Sequence, residues 1–272
     1  MDQETNFIIE QNNVKVLGRG TKPMILAHGF GCDQNMWRHV IPAFLDDYKV
    51  IAFDHVGAGA SDLTRFDQSK YASLEGYAED VLGICNEVAG PGTIYVGHSV
   101  SAMIGVLAAI RQPALFEHLI LVAPSPCYIN DGDYIGGFNK SDIEELLEFM
   151  DANYLGWSHA LAPTIVGNPD RPEVAQELEN SFCRTDPEIA KHFARTTFLS
   201  DNRSDLLKCN VPALILQCAD DVIAPRTVGE FMHRELRESE LYLMKATGHC
   251  PNLSAPEETI GAIKEYLATH GT

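Results

Sequence analysis

The sequence predicts an α/β fold in which a mostly parallel sheet is covered by helices on both faces. Strand-like apolar segments alternate with helical patterns along most of the chain, an order typical of parallel sheets. The 272 residues, 45% of them hydrophobic, suit one domain with a sizeable core. The alternation stops between Pro124 and Asp205, where the spacing is helical throughout. We therefore expect a core of residues 1–124 and 205–272 with a helical insertion at 125–204.

The first element is predicted to be a hairpin of two short strands around Asn12 and Asn13. Further strands are expected at about 24–28, 48–53, 93–97, 118–123, 212–218 and 240–244. Helical patterns lie between them, near 34–44, 73–89, 100–111, 225–236 and 255–268. Because helices separate consecutive strands, most of the strands should run parallel.

The insertion carries four short helical patterns, at 143–150, 154–166, 174–182 and 187–199. Their apolar faces cannot be buried in the sheet, so we expect them to form a lid above it. The lid is rich in aromatic residues, most of which should simply pack helix against helix. Some of them should nevertheless face a cavity between the lid and the sheet. An apolar cavity of this kind suits a compact hydrophobic ester or lactone better than a sugar, a peptide or an ionised acid.

The Gly97–Ser101 segment, Gly-His-Ser-Val-Ser, lies between a predicted strand and a predicted helix of small residues. A sharp strand-to-helix turn around Gly-x-Ser holds the serine in a strained, exposed position, where its hydroxyl can attack a carbonyl. The second glycine of the usual Gly-x-Ser-x-Gly pattern is replaced by Ser101, which is still small enough for close packing. This context identifies Ser99 as the candidate nucleophile.

A serine hydroxyl needs a general base, and the base needs a group that holds its tautomer. Among ten histidines, His249 stands out because it lies in a loop between a predicted strand and a predicted helix. The acid should follow a strand between the serine and this histidine, since the chain order in such hydrolases is Ser, Asp, His. Asp220 and Asp221 both follow the buried pattern at 212–218, and their spacing does not choose between them.

A glycine-rich turn, His28–Gly31, follows the predicted strand that ends at His28. Such a turn allows a backbone N–H to approach an oxyanion closely, and a second N–H comes from the residue after the nucleophile. The predicted oxyanion donors are therefore the N–H groups of Phe30 and Val100.

The composition excludes several other classes of function. The formal net charge of −18 would repel nucleic acid and anionic lipid, so we expect neither as a partner. Seven cysteines without a Cys-x-x-Cys pair indicate reduced thiols rather than a disulfide framework. The acidic start of the chain, Met1–Glu4, predicts no signal peptide, and no apolar stretch is long enough to cross a bilayer. We expect a cytoplasmic protein, and nothing in the sequence indicates a cofactor or a metal site.

Five segments together resemble a known family: His28–Gln34, Gly97–Gly105, Ser125–Asp131, Asn153–Trp157 and Gln217–Asp221. They are similar to the RsbQ-like bacterial stress-response regulators and, less closely, to the plant strigolactone and karrikin receptors. The similarity covers nearly the whole chain and includes the lid. It implies an α/β-hydrolase fold under a V-shaped cap of four helices.

The resemblance also implies roles for individual residues. It places the catalytic triad on Ser99, Asp221 and His249, and the oxyanion donors again on Phe30 and Val100. The implied substrate-binding residues of the cavity are Tyr128, Phe138, Trp157 and Phe198. It further implies slow hydrolysis or ligand sensing without a cofactor, and signalling by contact with a protein such as a phosphatase that carries a PAS domain.

Two functions from different classes follow from these observations. The first is a signalling component that binds or slowly hydrolyses a small hydrophobic lactone-like ligand and then engages a protein. The second is a general carboxylesterase or lactonase of small-molecule metabolism. Both use the same triad, so turnover rate and partner binding must distinguish them.

Overall fold

The computed structural model describes residues 5–270, and these residues contain a seven-stranded sheet. The acidic first four residues, on which the prediction about a signal peptide depends, lie outside that range. The strands are β1 (Lys15–Leu17), β2 (Lys22–Ala27), β3 (Tyr48–Phe53), β4 (Thr93–His98), β5 (Phe116–Val122), β6 (Ala213–Gln217) and β7 (Ser239–Leu243). Their order across the sheet is β1-β3-β2-β4-β5-β6-β7; β1 is antiparallel to β3, and every other pair is parallel. The prediction of a mostly parallel sheet is confirmed.

Helices cover both faces of the sheet. The α-helices are α1 (Thr5–Gln11), α2 (Leu74–Ile84), α3 (Val100–Arg111), α4 (Lys140–Ala152), α5 (Tyr154–Val166), α6 (Pro172–Arg184), α7 (Pro187–Phe198), α8 (Arg226–Glu235), α9 (Pro251–Ser254) and α10 (Pro256–His270). The four helices α4–α7 lie between β5 and β6 in the chain, and we call them the lid helices. Of the described helices, none is both long and apolar enough to span a bilayer.

Side-chain alternation along β2 divides the core into two layers. Met24 and Leu26 join the cluster that contains α10 and much of the lid, whereas Ile25 and Ala27 join the cluster that contains α2 and α3. Successive side chains of a strand point to opposite faces, so the sequence of a strand that is buried on both sides is an uninterrupted apolar run. This arrangement leaves the carboxyl ends of β2, β4 and β6 at one edge, next to the lid.

The predicted N-terminal hairpin is wrong in its first half. Residues Thr5–Gln11 form the helix α1, and only β1 after the turn is a strand. Ile8 on α1 packs against the α2–α3 core layer and lies close to Gly83. This tertiary contact selects the helix in a segment too short for its apolar spacing to distinguish the two forms.

Two segments predicted as α-helices differ from the prediction: one forms tighter 3₁₀ turns, and the other forms a shorter α-helix. The pattern at 34–44 forms two separate 3₁₀ turns, Gln34–Trp37 and Ile41–Ala43, the first capped by the Asp33 carboxylate and the second carrying a proline in its first turn. The pattern at 73–89 forms α2 and then a π-helical turn, Cys85–Ala89, which ends at Gly90 with φ of 84°.

Candidate active site

Ser99 occupies a strained turn between β4 and α3. Its φ is 57° and its ψ is −123°, a backbone conformation that residues other than glycine rarely adopt. The Ser99 N–H donates to the Val122 carbonyl on β5 at 2.8 Å, which anchors the turn to the sheet. Gly97 is required here, because a Cβ at this position would lie 2.5 Å from the Ser101 carbonyl oxygen. The Ser101 hydroxyl in turn donates to the His28 carbonyl, so the serine that replaces the second motif glycine joins the two loops.

The structure brings Ser99, His249 and Asp221 together in one hydrogen-bonded chain. The distance from His249 Nε2 to Ser99 Oγ is 2.7 Å, and that from His249 Nδ1 to Asp221 Oδ2 is also 2.7 Å. All three residues are buried, with exposed fractions of 4–6%. With Nδ1–H donating to the carboxylate, Nε2 is left to accept the serine proton.

The two neighbouring aspartates lie in different surroundings. Asp221 is buried, and its second oxygen accepts the N–H groups of Ile223 and Ala224 at 2.8 and 3.0 Å. Asp220 is exposed, and its backbone carbonyl accepts the Gly248 N–H at 2.6 Å. The geometry therefore favours Asp221 as the partner of His249, as the resemblance implies.

The loop that carries His249 is joined to the end of lid helix α5. The His249 N–H donates to the Ile165 carbonyl at 2.9 Å, and the Asn168 amide donates to the Thr247 hydroxyl at 3.0 Å. Gly248 has φ of 80°, and a Cβ there would lie 1.7 Å from the Val166 carbonyl oxygen. The contact is close enough that only glycine fits, and it fixes the histidine loop against the lid.

The predicted oxyanion donors lie at the start of α3 and in the loop after β2. Val100 is the first residue of α3, so its N–H has no partner within the helix. Phe30 lies in the loop after β2 and lines the same cavity as Ser99. The neighbouring Gly31 has φ of 69°, and a Cβ there would overlap the Phe182 ring at 1.9 Å. Their role as oxyanion donors remains a prediction.

A small cavity of about 30 Å³ lies directly above Ser99. That volume corresponds to only one or two water molecules. Apolar and aromatic side chains make up most of its wall. The lining residues are Phe30, Cys32, His98, Ser99, Tyr128, Ile165, Leu178, Phe182, Thr197, Phe198, Ile223, His249 and Cys250.

The four residues expected to bind substrate divide into two pairs. Tyr128 and Phe198 line the cavity, whereas Phe138 and Trp157 do not. Trp157 lies one layer behind, with its ring 6.1 Å from that of Phe30 and 5.1 Å from that of Phe182. Phe138 is half-buried in the strap between β5 and α4, where its backbone pairs with the segment of Tyr128. Neither residue lines this cavity, and the Phe30 and Phe182 rings pack against Trp157; a role of Phe138 and Trp157 in binding substrate stays a prediction.

Several lining residues were not predicted from the sequence. Leu178 and Phe182 are four residues apart on α6 and therefore share one face of that helix. This spacing is a signal that could have identified them. Thr197, Ile223 and Cys250 carry no comparable signal, because their exposure to the cavity depends on how distant elements meet.

Three fully buried histidines support the floor of the site. Burial lowers the pKa of His28, lowers that of His55 well below its usual value, and lowers that of His98 to about 3. His98 Nε2 donates to the His249 carbonyl at 2.7 Å, and His55 Nε2 lies 2.7 Å from the Ser101 hydroxyl. These rings are neutral at physiological pH and act as fixed hydrogen-bonding groups.

Stability should fall in mild acid because of these histidines. Below about pH 6.5 the unfolded chain binds protons at its histidines, whereas the buried rings of the folded protein do not. The free energy of unfolding should therefore decrease as the pH falls from about 6.5 toward 3, by up to ~1.4 kcal/mol per pH unit from His98 alone. His28 and His55 add to this decrease at pH values above their own lowered pKa values. Urea unfolding at several pH values measures how steeply the free energy of unfolding changes with pH.

A His98→Gln variant serves as the control, since its amide can still donate to the His249 carbonyl but does not titrate. For this variant, the free energy of unfolding should change less steeply with pH than for the wild type, by ~1.4 kcal/mol per pH unit. Comparing the two slopes cancels the contribution of the carboxylates. Equal slopes would show that His98 does not have a lowered pKa.

No group of three or more His, Cys, Asp or Glu side chains within residues 5–270 could hold a metal ion. The chemistry available at the site is that of a hydroxyl nucleophile, an imidazole base and backbone N–H donors. Together these groups suit acyl transfer.

Comparison with known proteins shows the family to which the chain belongs. The chain is 42% identical to a karrikin insensitive 2 receptor of Petunia hybrida, over 96% of this chain and 97% of the relative. It is 41% identical to a strigolactone esterase of Arabidopsis thaliana, again over 96% and 97% of the two chains. The solved structure of a hydrolase from Oleispira antarctica superposes with a TM-score of 0.95 at 41% identity, covering 98% of each chain. A family model described as the alpha/beta hydrolase family matches residues 24–262, and the chain belongs to this family.

Proposed function

We propose that this protein is a serine hydrolase that binds a small hydrophobic ester or lactone, hydrolyses it slowly and signals through a protein partner. The observation that carries the proposal is the hydrogen-bonded chain from Ser99 through His249 to Asp221 beside a small, apolar cavity. The small, mostly apolar lining favours a compact and uncharged ligand.

In the proposed mechanism, Ser99 Oγ attacks the carbonyl carbon of the ligand while His249 Nε2 takes the hydroxyl proton. Asp221 holds Nδ1–H and stabilises the imidazolium that forms. The N–H groups of Phe30 and Val100 bind the oxyanion of the tetrahedral intermediate. His249 then protonates the leaving oxygen, and a water molecule activated by the same histidine cleaves the acyl-enzyme.

The narrowness of the cavity supports slow turnover. A space of about 30 Å³ is too small for a five-membered lactone, so we expect lining side chains or lid helices to shift when a ligand binds and when products leave. In enzymes with such lids, opening and product release often limit the rate. We therefore expect turnover well below the median of about 10 per second for enzymes in general.

The signalling part of the proposal is supported by the relatives. One is named as a karrikin insensitive 2 receptor and another as a strigolactone esterase, and both match nearly the full chain. A phosphatase with a PAS domain, as in the RsbQ-like regulators, is the first partner to test. The net charge of −18 favours a partner with a basic face. All seven cysteines are free thiols, which supports a reducing, cytosolic location.

A general carboxylesterase or lactonase is the second candidate function. The observation that favours it is the TM-score of 0.95 with a bacterial protein described simply as a hydrolase. The triad is identical under both proposals, so only kinetics and partner binding separate them.

Pre-steady-state kinetics with 4-nitrophenyl acetate should show a burst of nitrophenolate close to one equivalent per protein, followed by a slow steady state. The burst reports the acyl-enzyme, and the slow phase reports deacylation and release. The Ser99→Ala variant is the control and should show no burst. Rapid multiple turnover without a burst would favour the general esterase instead.

Capture from native lysate tests the partner. Wild-type protein treated with an ester ligand should retain a specific protein that Ser99→Ala does not retain, and its association should slow as the salt concentration rises. Recovery of the same proteins by both forms at every salt concentration would contradict signalling by hydrolysis.

A further inference from the structure

Two hydroxyl groups in the cavity wall have no hydrogen-bond partner among the described residues. They are the Tyr128 phenol and the Thr197 hydroxyl, and each residue is only 1% exposed. A buried hydroxyl without a partner has lost its hydrogen bonds to water and gained nothing in return. Such groups are rare in folded proteins and require an explanation.

The Tyr128 hydroxyl belongs to the reacting end of the cavity. Tyr128 and Ser99 line the same cavity, and burial raises the pKa of the Tyr128 phenol. Tyr128 therefore lies beside the nucleophile and remains a protonated donor there.

The Thr197 hydroxyl belongs to the lid. Thr197 lies in the last turn of α7, between Ala194 and Phe198 on the buried side of that helix. Threonine in a helix commonly donates its hydroxyl to a carbonyl one turn earlier, but Thr197 does not. Packing alone does not explain the hydroxyl, because valine has the same shape and would leave no polar atom unpaired.

We propose that Thr197 binds a second oxygen of the ligand, an ether, carbonyl or hydroxyl oxygen remote from the carbonyl that Ser99 attacks. This inference rests on the proposed function, since it takes Ser99 as the point of attack. The ligand would then have an ester or lactone carbonyl at one end, an oxygen acceptor at the other, and apolar atoms between them against the aromatic wall. A purely hydrocarbon acyl chain would leave the Thr197 hydroxyl unpaired in the complex and should bind less well.

Matched pairs of 4-nitrophenyl esters test this selectivity, with one CH₂ replaced by oxygen in each pair. The pairs are butanoate with methoxyacetate, pentanoate with 3-methoxypropanoate, and hexanoate with 4-methoxybutanoate. The ratio of kcat/KM within a pair is compared between wild type and Thr197→Val, so that differences in intrinsic carbonyl reactivity cancel. For at least one chain length, the ether preference of wild type should be roughly tenfold greater than that of Thr197→Val. Thr197→Ser should retain the preference.

Thermal unfolding of the ligand-free protein gives a second, independent readout. Thr197→Val removes an unpaired buried hydroxyl and should raise the midpoint of unfolding. Thr196→Val is the matched control on the same turn, because the Thr196 hydroxyl donates to the Tyr71 carbonyl at 3.1 Å. That variant should lower the midpoint and leave the ether preference unchanged.

Equal ether preferences in wild type and Thr197→Val at all three chain lengths would overturn the inference. A lower midpoint for Thr197→Val would also overturn it, since the hydroxyl would then have a structural partner. Ester turnover that survives in Ser99→Ala would instead contradict the proposed function. The two failures are therefore distinguishable.

Discussion

Ser99→Ala and His249→Ala are each expected to lower kcat for ester hydrolysis by roughly 10⁴–10⁶-fold. The two side chains are joined by a 2.7 Å hydrogen bond and act as one unit, so removing either one removes most of the catalysis. The residual rate should reflect the backbone donors and ligand binding alone. Steady-state and single-turnover assays with 4-nitrophenyl acetate measure the loss.

The neighbouring aspartates provide a control within the same loop. Asp221→Asn should lower kcat by several orders of magnitude, because an amide in this position favours the wrong tautomer of His249. Asp220→Asn should have little effect, since the Asp220 side chain is exposed and only its backbone carbonyl is used in the loop. Equal losses at the two positions would refute the assignment of the triad.

Trp157→Ala is expected to lower the free energy of unfolding by about 3–5 kcal/mol. The Trp157 side chain is 1% exposed, stacks on Tyr154 with ring centroids 6.0 Å apart, and supports both Phe30 and Phe182 from behind. Truncation leaves a large cavity that rigid neighbours fill only in part. Equilibrium unfolding in urea measures the change.

Two control variants test whether the loss of stability comes from the buried ring of Trp157. Phe149→Ala removes an aromatic ring from α4 that is 40% exposed and should cost much less. Trp157→Phe should also cost less than the alanine change, because the indole N–H has no hydrogen-bond partner within residues 5–270. If Trp157→Ala unfolded like wild type but bound ester ligands more weakly, the indole would contact the ligand directly.

The parts of the site that the sequence could identify are those fixed by local turns. Ser99 and the Phe30 loop follow from glycine-rich segments at strand ends, and His249 follows from its loop between a strand and a helix. Choosing between Asp220 and Asp221 requires the tertiary structure, because strand alternation places their side chains on opposite sides without saying which side holds the histidine.

The residues of the cavity wall are harder to predict from the sequence than the candidate nucleophile is. A sequence pattern shows that an aromatic residue faces the interior, but it does not show in which of two layers the residue lies. Trp157 occupies the outer layer, while Phe182, which packs against it, reaches the cavity. A similar limit applies to α1, where contact with α2 decides the conformation of a segment of seven residues.

The hydrogen bond from the His249 N–H to the Ile165 carbonyl attaches the candidate general base to lid helix α5. Ile165 also lines the cavity, so a ligand that displaces this side chain strains the same residue whose carbonyl holds the histidine. If α5 moves outward, the 2.9 Å bond either breaks or carries His249 away from Ser99. The position of α5 and the distance between the His249 imidazole and Ser99 are thus linked through a single backbone hydrogen bond, so a change in the lid is felt at the candidate triad.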